Sequence, residues 1–113
     1  MAWISVCDAE ELAAEDVLRF DHAGRSFAVC LTDGGEVFCA QGYCPQDGAH
    51  LAGGLVEDTL IECPGGGCLY DLRDGQPKGG AARGTLATYP ARLVGGRVDL
   101  DLPVDGAIKP VGI

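Results

Sequence analysis

Glycine sets the first limit on what this chain can fold into. Eighteen of its 113 residues are glycine, and no long apolar helical stretch lies between them. Yet 47% of the residues are apolar, enough for a core. Apolar runs of strand length, each closed by a turn signal, point to an all-β domain with many tight turns. The runs are WISV, DVLRF, SFAVCL, EVFCA, TLIEC, CLYDL and the tail YPARLVGGRVDLDL. SFAVCL alternates Phe27, Val29 and Leu31 on one face and turns at Asp33-Gly34-Gly35 into EVFCA. Other turns are expected at His22-Ala23-Gly24 and Asp74-Gly75. The tail reads as a hairpin around Gly95-Gly96 that buries Val98, Leu100 and Leu102. After the first run, Asp8 is placed to cap a helical turn, with Glu11 answering three residues later. The length suits one antiparallel β domain over residues 1–113, without repeats or linkers. Its expected core is Ile4, Val6, Val17, Phe20, Phe27, Val29, Phe38, Leu60, Tyr70, Leu72, Leu93, Val98 and Leu100.

Seventeen acidic residues against eight basic ones give a formal charge of −9. Such a surface repels nucleic acid, whose binding rests on neutralising phosphates with Lys and Arg. It suits a soluble protein, and it can steer the protein toward a basic face on a partner. Glu57, Asp58 and Glu62 form a candidate acidic rim. The opening MAWISVCDAEEL has neither a basic segment nor an apolar signal region, and nothing approaches a membrane span. A cytoplasmic location, without membrane contact, is expected. In that compartment six cysteines argue for metal ligands or buried thiols before disulfides. Cys7, Cys30 and Cys39 lie inside apolar runs and read as small core residues. Cys44 and Cys63 each precede a proline in a glycine-rich loop.

Those loops are CPQDGAHLAGG from Cys44 to Gly54 and CPGGGCLYDLRDG from Cys63 to Gly75. The second is a poor phosphate cradle, since it leads into a strand and not a helix N-terminus. Together with WISVCDAEEL, RSFAV and TYPARLVGGRVDLDLP, the loops resemble the Rieske iron–sulfur family, in particular its small ferredoxins that serve oxygenases. The resemblance runs from Trp3 to Pro103. It implies a Rieske-type antiparallel β-sandwich carrying two cluster-binding-type loops. In that family one iron of a 2Fe–2S centre is held by two Cys and the other by two His. The ligand pattern is Cys-x-His in the first loop and Cys-x-x-His in the second. Cys44 and Cys63 match it, but the histidine positions hold Gln46 and Gly66. The family's covering loop, often Gly-Pro-Ala, corresponds to Gly80-Ala81-Ala82, without the proline.

Substitute donors are few. Cys68 falls where relatives place a small residue near the cluster, and His50 lies four residues past Gln46. Gln46 offers only a neutral amide oxygen, a poor match for iron in a sulfide cluster. His22 sits in a turn and reads as a surface residue. The leading expectation is therefore a cluster-free accessory or interaction subunit of a redox or oxygenase system, with an oxygenase or reductase as partner. The small subunit of NADH-dependent nitrite reductases is a family precedent for the fold without the ligand set. The alternative is an electron-transfer ferredoxin carrying an atypical 2Fe–2S cluster on Cys44 and Cys63, with Cys68 and His50 toward the second iron. A third reading places zinc on Cys44, Cys63, Cys68 and one more donor. The two cysteines could instead form a disulfide. An independent catalyst is not expected, since Cys44 with His50 lacks a recognisable oxyanion hole or orienting carboxylate.

Overall fold

The strand SFAVCL organises the molecule because both of its faces are buried. In the computed structural model, which describes residues 2–13 and 17–103, it becomes β3 (Arg25–Leu31). Phe27 and Val29 point into one core, with Leu12, Val98, Leu100 and Leu102. Ala28 and Cys30, at the alternate positions, point into a second core with Ile61, Tyr70 and Leu72. A two-residue period on a doubly covered strand needs apolar residues at every position, which is what the sequence supplies.

Three antiparallel sheets surround these cores. The first has the order β1 (Ala2–Asp8), β11 (Arg97–Leu102), β10 (Ala91–Val94). The second is β2 (Val17–His22), β3, β4 (Val37–Gln41), β9 (Thr88–Tyr89). The third is β5 (Leu55–Glu57), β6 (Leu60–Glu62), β7 (Cys68–Asp71), β8 (Pro77–Gly80). The second sheet shares one core with the first and the other core with the third. We call the first two sheets and their core the base, and the third sheet with its loops the loop layer. The short helix α1 (Ala9–Ala13) follows β1, and the Glu11 carboxylate accepts the Asp8 N–H at 3.0 Å, half of the expected reciprocal cap. No helix among the described residues is long and apolar enough to cross a membrane.

The tail forms the expected hairpin, and Val98, Leu100 and Leu102 are buried. Three expectations shift. Leu93 is 41% exposed, because β10 is the outer strand of its sheet and little covers it there. In TLIEC the inward residue is Ile61 and not Leu60, since Ile61 pairs with Tyr70 of β7 and both face the core. Ile4, Val6, Phe20 and Phe38 pack on the cores only partly buried. The start of DVLRF at Asp16 lies outside the described residues.

Candidate functional site

A turn closing on each loop cysteine brings the two loops together. In the first loop, the Cys44 N–H donates to the Ala49 carbonyl at 2.8 Å, and the Gly48 N–H donates to the Cys44 carbonyl at 2.9 Å. In the second, the Gly66 N–H closes a turn on the Cys63 carbonyl at 2.8 Å, and the Cys63 N–H donates to the Cys68 carbonyl at 3.0 Å. Gly66 has φ of +75°, a left-handed conformation that glycine takes without strain. The residue at the second histidine position is therefore a turn-former with no side chain to offer.

The thiols converge beneath these turns. Cys44 and Cys63 place their sulfurs 2.7 Å apart, the Cys63 thiol donating toward Cys44. Cys68 joins them, and each of the three residues is 2% exposed. The Asp47 carboxylate completes the group, and one donor atom from each of the four residues lies within 4.8 Å of all the others. Burial pushes the Cys63 thiol strongly upward, and its contact with Cys44 adds to the shift. Burial also raises Cys68. Left alone, these two thiols are neutral at pH 7, since charging them in an apolar site with a carboxylate nearby is unfavourable.

Asp47 went unrecognised in the sequence, though an acidic residue three positions after a loop cysteine was a usable signal. Its Oδ1 accepts the Ala49 N–H at 2.9 Å. Its Oδ2 leans toward the second loop, where a Cβ on Gly65 would stand 3.0 Å from it. Gly65 thus leaves room for the carboxylate.

His50 is not brought to the thiols. Its Nδ1 accepts the Ala52 N–H at 3.0 Å, capping a single 3-10 turn at Leu51–Gly53. That acceptor role puts the ring proton on Nε2, which donates to Ser26 Oγ at 2.7 Å. Ser26 in turn donates to the Asp21 carboxylate at 2.6 Å. Both ring nitrogens are engaged, and the ring meets Tyr43 edge-on with centroids 4.9 Å apart. Burial first, and the Arg19 charge second, hold its pKa below the ordinary value. His22 stacks on Phe20 at the end of β2, with centroids 5.9 Å apart. Gln46 is exposed at the tip of its loop.

The covering loop explains its missing proline. The Ala81 N–H donates to the Gly67 carbonyl of the second loop, a bond proline cannot make. Gly80, at φ +65°, lies so close to that carbonyl that a Cβ would collide with it.

Comparison with known proteins agrees with this architecture. The family model described as Rieske [2Fe-2S] domain matches residues 2–90. The ferredoxin component of biphenyl 2,3-dioxygenase from Rhodococcus jostii (strain RHA1) is 32% identical over 102 residues, covering 90% of this chain and 94% of that protein. A cholesterol 7-desaturase from Hemicentrotus pulcherrimus is 32% identical over 75 residues, which are 66% of this chain but 16% of that longer protein. Among solved structures, the complex of reduced oxygenase and oxidised ferredoxin in carbazole 1,9a-dioxygenase contains a chain that superposes with a TM-score of 0.78. The match covers 87% of this chain and 91% of that one at 23% identity, a likeness of fold.

The residues present do not fit a His-ligated 2Fe–2S centre. Such a centre needs two imidazoles for its outer iron. Gly66 has no side chain, Gln46 carries an amide, and the chain's two histidines are engaged elsewhere. What remains is the thiol half, joined by Cys68 and Asp47.

Proposed function

The chain belongs to the Rieske [2Fe-2S] domain family, and we propose that it is a ferredoxin-type component of an oxygenase system that acts by docking on a redox partner, without a His-ligated cluster of its own. The observation that carries this reading is the missing imidazole half: Gly66 and Gln46 stand where two nitrogen donors would be required, while the loops around them are fully formed. A chain that keeps the docking shape but not the outer ligands is suited to contact. The relative from Rhodococcus jostii is a ferredoxin component of a dioxygenase, and the carbazole complex pairs a ferredoxin with its oxygenase. Both support an oxygenase or its reductase as the partner class, and a component role in place of independent catalysis.

The third sheet offers the matching surface. A shallow groove is lined by Leu55, Val56, Leu60 and Leu69 and edged by Glu57 and Glu62. Leu55 is 61% exposed there, an apolar anchor beside acidic groups. A partner with a basic rim would be steered to it, and the attraction would fall with ionic strength.

The test has two arms. Protein produced with iron supplied and cluster assembly intact, then purified anaerobically, is expected to lack iron, acid-labile sulfide and iron–sulfur absorbance. Binding to an oxygenase or reductase is expected to weaken as salt rises and to drop several-fold in the Glu57→Lys/Glu62→Lys protein. The convergence of three thiols favours one second reading, an electron carrier with a thiolate-rich cluster. Two irons and two sulfides per chain would establish that carrier and overturn the cluster-free reading. Binding indifferent to salt and to both substitutions would remove the docking surface.

A further inference from the structure

We propose that Cys44, Cys63, Cys68 and Asp47 form a closed four-donor site for a single zinc ion, which ties the two loops together where a cluster would otherwise do so. The inference rests on the reading that no His-ligated cluster is formed.

The donor set comes first. Three sulfurs and a carboxylate oxygen suit a tetrahedral zinc ion, which takes Zn–S near ~2.3 Å and Zn–O near ~2.0–2.2 Å. Those lengths imply donor–donor edges of about 3.5–3.8 Å. The four donor atoms lie within 4.8 Å of one another, close enough for one ion to draw them together. A two-iron centre needs its second pair of donors displaced to the far iron, and here all four converge. The Cys44–Cys63 separation of 2.7 Å must widen by about 1 Å. A small rotation of either side chain about its Cα–Cβ bond supplies that.

The surroundings fit a structural metal. All three cysteines are buried, and among the described residues the group supplies four protein donors, the number a structural zinc site takes. Three thiolates and a carboxylate around a dication carry the same net charge as a four-cysteine zinc site, a common structural type. Asp47 is held for the role, since the Ala49 N–H fixes one oxygen and leaves the other aimed across the loops. On binding, three Zn–S bonds form as three S–H bonds break, and three protons leave to solvent; the Asp47 carboxylate adds a Zn–O bond. No oxidation state changes.

The full chain should be produced with both zinc and iron in the medium and purified under reducing, anaerobic conditions. One zinc per chain should survive dialysis, with no sulfide. Cobalt(II) added to the metal-free protein should give the visible bands of a tetrahedral thiolate site. Cys68→Ser should abolish zinc retention, while Asp47→Asn should weaken affinity at least ~10-fold. Cys39→Ser, whose buried thiol lies outside the group, should leave one zinc bound. If Cys68→Ser does not fold, Asp47→Asn decides the matter, because Asp47 is exposed. The proposal is overturned if neither zinc nor cobalt binds while all six thiols react after denaturation, or if Cys44 and Cys63 are found as a disulfide. Those two results leave the docking reading intact. Iron with sulfide overturns both, so the two failures are distinguishable.

Discussion

The base and the loop layer of this protein are held together by different means. The base holds the longest strands: β1 and β11 pair along six positions, and Leu12, Phe27, Val29, Val98, Leu100 and Leu102 form an apolar core between the first two sheets. The loop layer has strands of three or four residues. To the core of Leu51, Ile61, Tyr70, Leu72 and Leu86 it adds specific hydrogen bonds, among them the Arg73 pairing with the buried Asp71, the His50–Ser26 contact and the Ala81–Gly67 bond. The cysteines divide along the same line. Cys30 and Cys39 sit within strands, where burial pushes Cys30 up to about 12 and burial, with a smaller effect of Cys30, raises Cys39, so both are inert packing. Cys44 and Cys63 open their turns and Cys68 starts β7 as the chain leaves the second, so the two loops bring the three thiols together. Packing by area tolerates any residue of suitable size, whereas the hydrogen bonds that shape the loops require particular ones.

The largest expected effect breaks the base and leaves the site alone. Leu100 is fully buried, so Leu100→Ala loses its apolar contacts and leaves a cavity, at a cost of about 3 kcal/mol. Chemical denaturation should register that loss. Thiol titration under native conditions should remain as in the parent protein. If the loop thiols became reactive in step with the lost stability, base and loop layer would be one cooperative unit and the contrast would fail.

Acid should act on the loop layer next. Asp71 at the end of β7 accepts two bonds from the Arg73 guanidinium, at 3.0 and 2.7 Å, and one from its backbone N–H at 2.9 Å. The Arg73 side chain holds the Asp71 carboxyl at about 2, below the usual 3.8. A carboxyl depressed in the folded state contributes stability above its unfolded value and loses it as pH falls through the folded one. The contribution, about 2 kcal/mol, should be complete above about pH 4 and lost toward pH 2. Asp71→Asn should remove it at neutral pH and flatten the acid limb of stability against pH. Parallel acid limbs for parent and variant would show that the pair contributes nothing.

What the sequence made legible follows the same division. In the base the two-residue period was visible in SFAVCL and in the tail, because long strands print their buried face directly. In the loop layer the phase of TLIEC was misjudged by one residue, since a three-residue strand has too few positions to display a period. PKGG carries no strand signal at all; β8 exists because β7 offers an edge to pair with. Cys44 and Cys63 stood out as loop residues before prolines, and Cys68 by its place in the family resemblance. Asp47 offered only a weak signal, its spacing from Cys44, because its nearness to Gly65 joins two loops far apart in sequence. His50 was misleading in the opposite sense, as its nearness to Gln46 in sequence hid the fact that its ring turns toward Ser26.

The smallest expected effect sharpens the contrast at His50 itself. Its ring joins the first loop to β3 by accepting from Ala52 and donating to Ser26, so His50→Ala should cost about 1 kcal/mol, in the range of a lost cap. Protonation removes the acceptor on Nδ1, and burial already disfavours the charged ring. A histidine depressed in the folded state contributes stability above its unfolded pKa and loses it as pH falls through the lower folded value. The parent should therefore lose stability as pH drops below the ordinary histidine value of 6.5, and His50→Ala should lack that limb. Metal retention and native thiol reactivity should be the same in both proteins, because the imidazole serves the scaffold. A cobalt spectrum altered by His50→Ala would instead place the ring among the ligands, and the loop layer would then owe its shape to the metal more than to its hydrogen bonds.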